Sequence, residues 1–340
     1  MSKYRFIVIL LLLAGFLILS IILSLGVGAV YISPERVVRV FMDATSPDLS
    51  ASDITIVRDL RLARVLLAAL VGAGLGTAGA AFQALFRNPL ADPYVIGASG
   101  GAALGATLAI TMGLTWNMAG FGPIPLAAFV GSALAVLVVY TIAGGTGGGS
   151  VISLLLAGAA LSTVLSSIVS LLMLVSDQSM HQIFSWLMGG FGGRSWTHLW
   201  SSGPYLLLGV ISMWFLARPL DALACGDEMA LTIGLPLPRA RGAVVIIATL
   251  ITAAAVSAAG IIGFVGLVAP HIARLLFGAS HHRLIPSSAL IGALLTLLAD
   301  DLARTALAPI ELPVGIITSL VGGVFFLYLL KSRQTELRGG

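Results

Sequence analysis

Twice in succession, from about Arg64 to Phe86 and from about Tyr94 to Met112, the chain runs apolar for about twenty residues. Neither run carries a charge after Arg64, and a helix of that length crosses the ~30 Å hydrocarbon core of a bilayer. Between their centres lies Gln83 to Gly101, QALFRNPLADPYVIGASGG, polar and punctuated by Pro and Gly, which reads as a loop at a membrane surface. The pattern recurs at roughly 6–30, 64–86, 94–112, 123–143, 151–175, 203–217, 243–259, 262–278, 285–305 and 313–330. A chain that is 58% hydrophobic and 9% charged has too few charges to give a soluble protein its surface. Backbone groups in lipid are satisfied only within helices or closed barrels, and unbroken runs of this length exclude alternating barrel strands. The expected fold is therefore an all-α polytopic membrane protein of about ten transmembrane helices. Residues 1–340 read as a single transmembrane domain, with an inner polar segment near 218–241.

The charges order the spans. Lys3 and Arg5 precede a long first run that has no obvious small-residue cleavage site, so it reads as an anchor with the N-terminus inside. An even number of spans returns the C-terminus inside, making both termini cytoplasmic. It also places Arg87, Arg218, Arg239, Arg241, Arg274 and Arg283 on the inner side, as the positive-inside rule requires. Arg58, Arg61, Arg64 and Arg304 fall near outer span ends, where that rule predicts few basic residues. The single cysteine, Cys225, can form no intrachain disulfide.

Several motifs carry competing readings. Gly74 to Gly79 matches G-x-G-x-x-G, but an apolar span offers no strand and no soluble crevice for a dinucleotide; helix packing is the expectation, helped by Gly72 and Gly76 one turn apart. The glycine run Gly144 to Ser150 has no lysine beside it, and Lys3 and Lys331 are the only lysines in the chain. No Walker A motif can form, so energy from ATP must come from a partner. Gly97-Ala98-Ser99-Gly100-Gly101 matches G-x-S-x-G, with His271 as a conceivable base for an intramembrane serine hydrolase, though the strand-turn-helix context of such a nucleophile is missing. A gradient-driven secondary transporter would place an ionisable group near mid-span, and no candidate span has a central acid. The five histidines show no metal-ligand spacing. Asp300, Asp301 and Arg304 lie within one helical turn and can pair locally.

The inner segment RPLDALACGDEMALTIGLPLPRAR, Arg218 to Arg241, is too structured for a linker. Asp227 and Glu228 suit a helix N-terminus, Met229 to Ile233 can form a short helix, and Gly234 followed by Pro236 stops it. An earlier short helix is expected over Pro219 to Ala224. Leu220, Leu223, Met229, Leu231 and Ile233 would then form an apolar knob that fits a groove on another protein, or lie on lipid headgroups.

These features together resemble the FecCD family, permease subunits of type II ABC importers. The resemblance rests on LRLARVLLAALVGAGLGTAGAAFQALFRNPLADPYVIGASGGAALGA from Leu60 to Ala106, LLLAGAALS from Leu154 to Ser162, WLMGGFGG from Trp186 to Gly193 and GDEMALTIGL from Gly226 to Leu235. It continues through GIIGFVGLVAPHIAR from Gly260 to Arg274, ADDLART, and ELPVGIITSLVGGVFF up to Phe326. It implies the type II ABC importer permease fold in the cell inner membrane, and import of a ferric siderophore, haem or cobalamin, with ferric chelate the first choice. The implied partners are a second permease subunit, a homodimer before a paralogous pair, two cytoplasmic ATPase subunits and a soluble binding protein, with lipid around them and no nucleic acid. No catalysis and no cofactor belong to this chain; ATP and Mg are used by the partner ATPase.

Residue by residue, Arg61, Arg64 and Arg304 match the family's docking arginines for the binding protein, and exchanging all three for Glu is expected to weaken docking without harming the fold. Asp227, Glu228, Met229, Ala230, Leu231, Ile233 and Gly234 match its coupling helices. Asn88 and Leu90 match a cytoplasmic gate, whose second part near Ser150 to Ser153 departs from the family pattern.

Overall fold

The computed structural model describes residues 2–43, 49–116, 122–144 and 151–338; most of the glycine run after Gly144 and the start of the second gate segment, Ser150, lie outside them. Each of the ten apolar runs contains a helix. These are α1 (Lys3–Gly26), α3 (Ala51–Leu85), α4 (Ala98–Thr111), α5 (Pro123–Ile142), α6 (Val151–Val175), α8 (Trp196–Phe215), α11 (Leu237–Ala259), α12 (Val265–Phe277), α13 (His281–Thr305) and α14 (Val314–Arg338). Short helices α2 (Pro34–Met42), α7 (Met180–Leu187), α9 (Ala217–Ala224) and α10 (Asp227–Thr232) join them. No strand occurs among the described residues.

Six of these helices are long and apolar enough to cross a membrane alone, and a seventh span counts if α8 and α9, bent by 59°, are one. The expected ten is thus not reached by length, because α4, α12 and the apolar part of α14 are short. The chain unwinds beside two of them. Residues 88–97 lead into α4 through Gly97 at φ 88°, and residues 260–264 lead into α12 through Gly260 at φ 71° and Phe264 at φ 67°. Buried backbone outside a helix needs partners from protein. Tyr94 supplies them, its hydroxyl donating to the Ile262 carbonyl at 3.2 Å and accepting from the Ile262 amide at 3.4 Å, while the Gly190 amide donates to Ala259. One unwound segment therefore braces the other.

Helix α3 is the axis of the bundle, with α8, α11, α12 and α13 packed around it. In its most apolar stretch 83% of residues are buried, against 6% for α1 and 17% for α6, which lie at the periphery. Glycines in and just before the G-x-G-x-x-G stretch make this packing possible. A Cβ on Gly72 would sit 2.2 Å from the Gly292 carbonyl oxygen, one on Gly76 2.3 Å from that of Ser288, and one on Gly79 1.8 Å from that of Gly266. Backbones touch along this seam, as expected of small residues one turn apart. The π-helical turn Thr55–Arg61 within α3 brings Arg61 inward.

Helix α9 forms where a short helix was expected, but Leu220 and Leu223 are 0% and 2% exposed and join the main core. They are not part of an exposed knob, because α9 folds back against α3 and α13. Asp221 fixes that position by accepting from both the amide and Nδ1 of His281 at 2.7 Å, which caps the N-terminus of α13.

Candidate functional site

The candidate residues gather at the two ends of α3. Arg64 and Arg87 are 23 positions apart, about 34 Å along a helix, so the two groups are far apart in space.

At the first end, Arg61, Arg64 and Arg304 are buried, at 8%, 9% and 4% exposure. Arg64 forks between two acids: Nε and Nη2 reach Asp300, the latter at 2.9 Å, and Nη1 donates to both oxygens of Glu311 at 2.9 and 3.0 Å. Asp300, wholly buried, also lies 3.2 Å from Nε of Arg304. Arg304 pairs with Asp301 in turn, as the one-turn spacing predicted, and Ser24 donates to Asp301.

The remaining donors hold backbone. Arg61 donates to the carbonyls of Leu25 and Val30, and Arg304 to those of Ser24 and Val27. Helix α1 ends at Gly26 with no basic residue in its last turn, so guanidiniums from α3 and α13 satisfy its orphan carbonyls and face the negative end of its dipole. Gly28 leaves the room: a Cβ there would sit 2.6 Å from an Arg61 nitrogen. This accounts for basic residues at a span end where the positive-inside rule predicts few. The expectation that three glutamates would leave the fold intact is overturned, because Glu at position 64 would face the buried Asp300 and Glu311 with like charge. Sequence reasoning missed Glu311 and the carbonyl contacts, since neither is near its partner in the chain.

At the other end, α10 begins at Asp227 and stops where Gly234 turns at φ 78°, with the Leu235 amide returning to the Ala230 carbonyl. Ala230 is buried, whereas Met229, Leu231 and Ile233 are exposed at 56%, 59% and 65%. Glu228 is exposed and its carbonyl accepts from the Thr232 hydroxyl. Asp227 lies 2.6 Å from Arg241 on α11 and 3.7 Å from Arg87, the first residue after the C-cap of α3. That contact brings the loop of Asn88 and Leu90 beside α10, a neighbourhood no motif announced. Both residues are exposed, and the Asn88 side chain accepts the Leu90 amide at 2.9 Å in an Asx turn. Arg274 of α12 donates to Gln83 near the same end of α3.

Ser99 opens α4, and His271 lies on α12 with its ring against Phe325. No hydrogen bond joins the two among the described residues, so a serine hydrolase pairing has no geometry behind it. No cluster of potential metal ligands occurs among the described residues either.

Comparison with known proteins adds the rest. A model of the FecCD transport family matches residues 16–332. The hemin transport system permease HmuU of Yersinia pestis is 40% identical over 97% of this chain and 98% of its own. An ABC transporter permease of Bacillus subtilis, YvrB, is 40% identical over 94% and 92%, and the cobalamin import permease BtuC of Halobacterium salinarum is 42% identical over 83% and 74%. A solved metal-chelate type ABC transporter, in an inward-facing conformation, superposes with a TM-score of 0.84 at 31% identity, covering 95% of this chain and 99% of that one.

Proposed function

The chain belongs to the FecCD transport family, and from that premise we propose how it works as the multi-pass permease subunit of an ABC importer for an iron chelate, haem or cobalamin. Energy enters at α10. Its Met229, Leu231 and Ile233 are each more than half exposed, and these uncovered apolar side chains are the observation that carries the reading. A short helix that exposes apolar side chains fits a groove on a second protein, here a cytoplasmic ATPase subunit; on this reading α10 and both termini lie in the cytoplasm.

Closure of two ATPase subunits would push α10 as a rigid piece. Asp227, held by Arg241 and Arg87, would pass the motion to α11 and to the loop of Asn88 and Leu90, which narrows the path. Two copies of the chain would surround that path. At the opposite end, Arg61, Arg64 and Arg304 frame the docking face for a soluble binding protein. A partner carboxylate reaches them most easily by displacing Glu311, whose side chain is 47% exposed, from Arg64. No ATP, Mg or other cofactor is held by this chain in the cycle; nucleotide chemistry belongs to the partner.

The test is affinity purification of the tagged chain in mild detergent from cells expressing its neighbouring genes. A stoichiometric subunit with a Walker A motif, and ATPase activity in the complex, are expected. A lone chain with no nucleotide-binding partner would sink the reading.

A further inference from the structure

Beside the Arg64 network lies a cavity of about 650 Å³, walled by the start of α5, by α7, by the turn that leads into α8 and by Glu311 to Pro313. Pro123, Ile124 and Leu312 give it an apolar side. The other side is rich in donors, and two of them have no acceptor among the described residues. Nε1 of Trp186 and Nε of Arg194 are both enclosed without a hydrogen-bond partner there. Buried donors are almost always satisfied, so two orphans on one wall point to an acceptor supplied from outside the chain.

The charge balance points the same way. Arg194 meets no carboxylate among the described residues, in contrast to Arg64, Arg241 and Arg304. Glu311, the one acid on the described lining, has both oxygens engaged by Arg64. Burial pushes the Arg194 guanidinium down to about 10, yet it stays charged at neutral pH. The cavity therefore presents an uncompensated positive charge and a free indole N–H over an apolar floor.

We propose that this cavity binds a carboxylate group of an anionic chelate, with Arg194 as its counter-ion and Trp186 as a second donor. The inference rests on the importer reading and narrows its substrate class. It favours ferric chelates built on carboxylates, or haem through its propionates, over neutral hydroxamate chelates and cobalamin. A guanidinium suits the task because its planar fork matches a carboxylate in a way a lone donor does not.

The full chain in lipid nanodiscs is titrated with ferric citrate and with haemin, and in parallel with a neutral ferric trihydroxamate and with haemin dimethyl ester, reading tryptophan fluorescence. At least one carboxylate probe is expected to quench saturably and more tightly than its neutral counterpart. Its Kd should rise about tenfold in Arg194→Gln, the loss expected for one charge-assisted hydrogen bond, and recover only in part in Arg194→Lys, which keeps the charge and loses the fork. Equal binding of acid and neutral probes, or a Kd indifferent to Arg194→Gln, overturns the proposal. So does the absence of saturable quenching by either acid, while the importer reading stands or falls separately on the copurifying ATPase. Should Arg194→Gln fail to fold, Trp186→Phe, which removes the second donor, carries the same comparison.

Discussion

Arg64 is the residue on which one end of the molecule depends. Its fork neutralises Asp300, which has no exposure of its own, and holds Glu311 at the surface. Removing one partner of a buried ion pair strands the other, so Arg64→Ala is expected to cost about 3 kcal/mol, read as a lower unfolding midpoint in detergent. The double variant Arg64→Ala with Asp300→Asn should cost clearly less than the sum of the two single changes, and strict additivity would show the pair is not coupled. Asp92, in the loop after Leu90, behaves differently. Burial pushes its carboxyl up to about 6, against which a hydrogen bond from the Tyr94 amide works only in part. The folded chain thus holds this proton more tightly than the unfolded chain, whose value is near 3.8. The resulting stabilisation is complete below the unfolded value and is lost as pH rises through about 6. The unfolding midpoint should fall from pH 5 to pH 7 by more in the native chain than in Asp92→Asn.

Among elements, the seam between α3 and α13 decides whether the bundle closes. Because a Cβ at Gly72 would meet the Gly292 carbonyl oxygen at 2.2 Å, Gly72→Ala must push two buried backbones apart. A loss of about 2 kcal/mol is expected, of the order found for overpacked cores. Gly15 on peripheral α1 is the control, since a Cβ there meets nothing within 4 Å and Gly15→Ala should not lower the midpoint. Helix α10 is the opposite case, an element whose stability and function separate. Ala230 anchors it, while Leu231 is 59% exposed, so Leu231→Asp should keep the fold yet lose the copurifying ATPase. Retention of a stoichiometric ATPase and normal uptake by that variant would count against the coupling role.

For the whole molecule, the contact of Asp227 with both Arg241 and Arg87 ties the short helix to the spans and to the loop of Asn88 and Leu90. If motion passes through it, Asp227→Ala and Arg87→Ala should each lower substrate moved per ATP hydrolysed, and the double variant should be no worse than Asp227→Ala alone. Independent, additive losses would mean the two ends of the contact act separately. The membrane-spanning class, the small-residue packing of Gly72 and Gly76 and the stop of α10 at Gly234 were all legible in the sequence. Each is written in residues that are neighbours along the chain: run length, one-turn spacing, a capping glycine. The tertiary structure alone decided that Leu220 and Leu223 are core, that Tyr94 braces the unwound Ile262, and that Arg61 and Arg304 cap α1. It alone joined Arg64 to Glu311, and left Arg194 without a carboxylate among the described residues. Those outcomes depend on groups far apart in the chain and brought together by packing. Hydrogen-bond and charge balance in a low-dielectric interior is settled by distance in space, which sequence spacing does not encode.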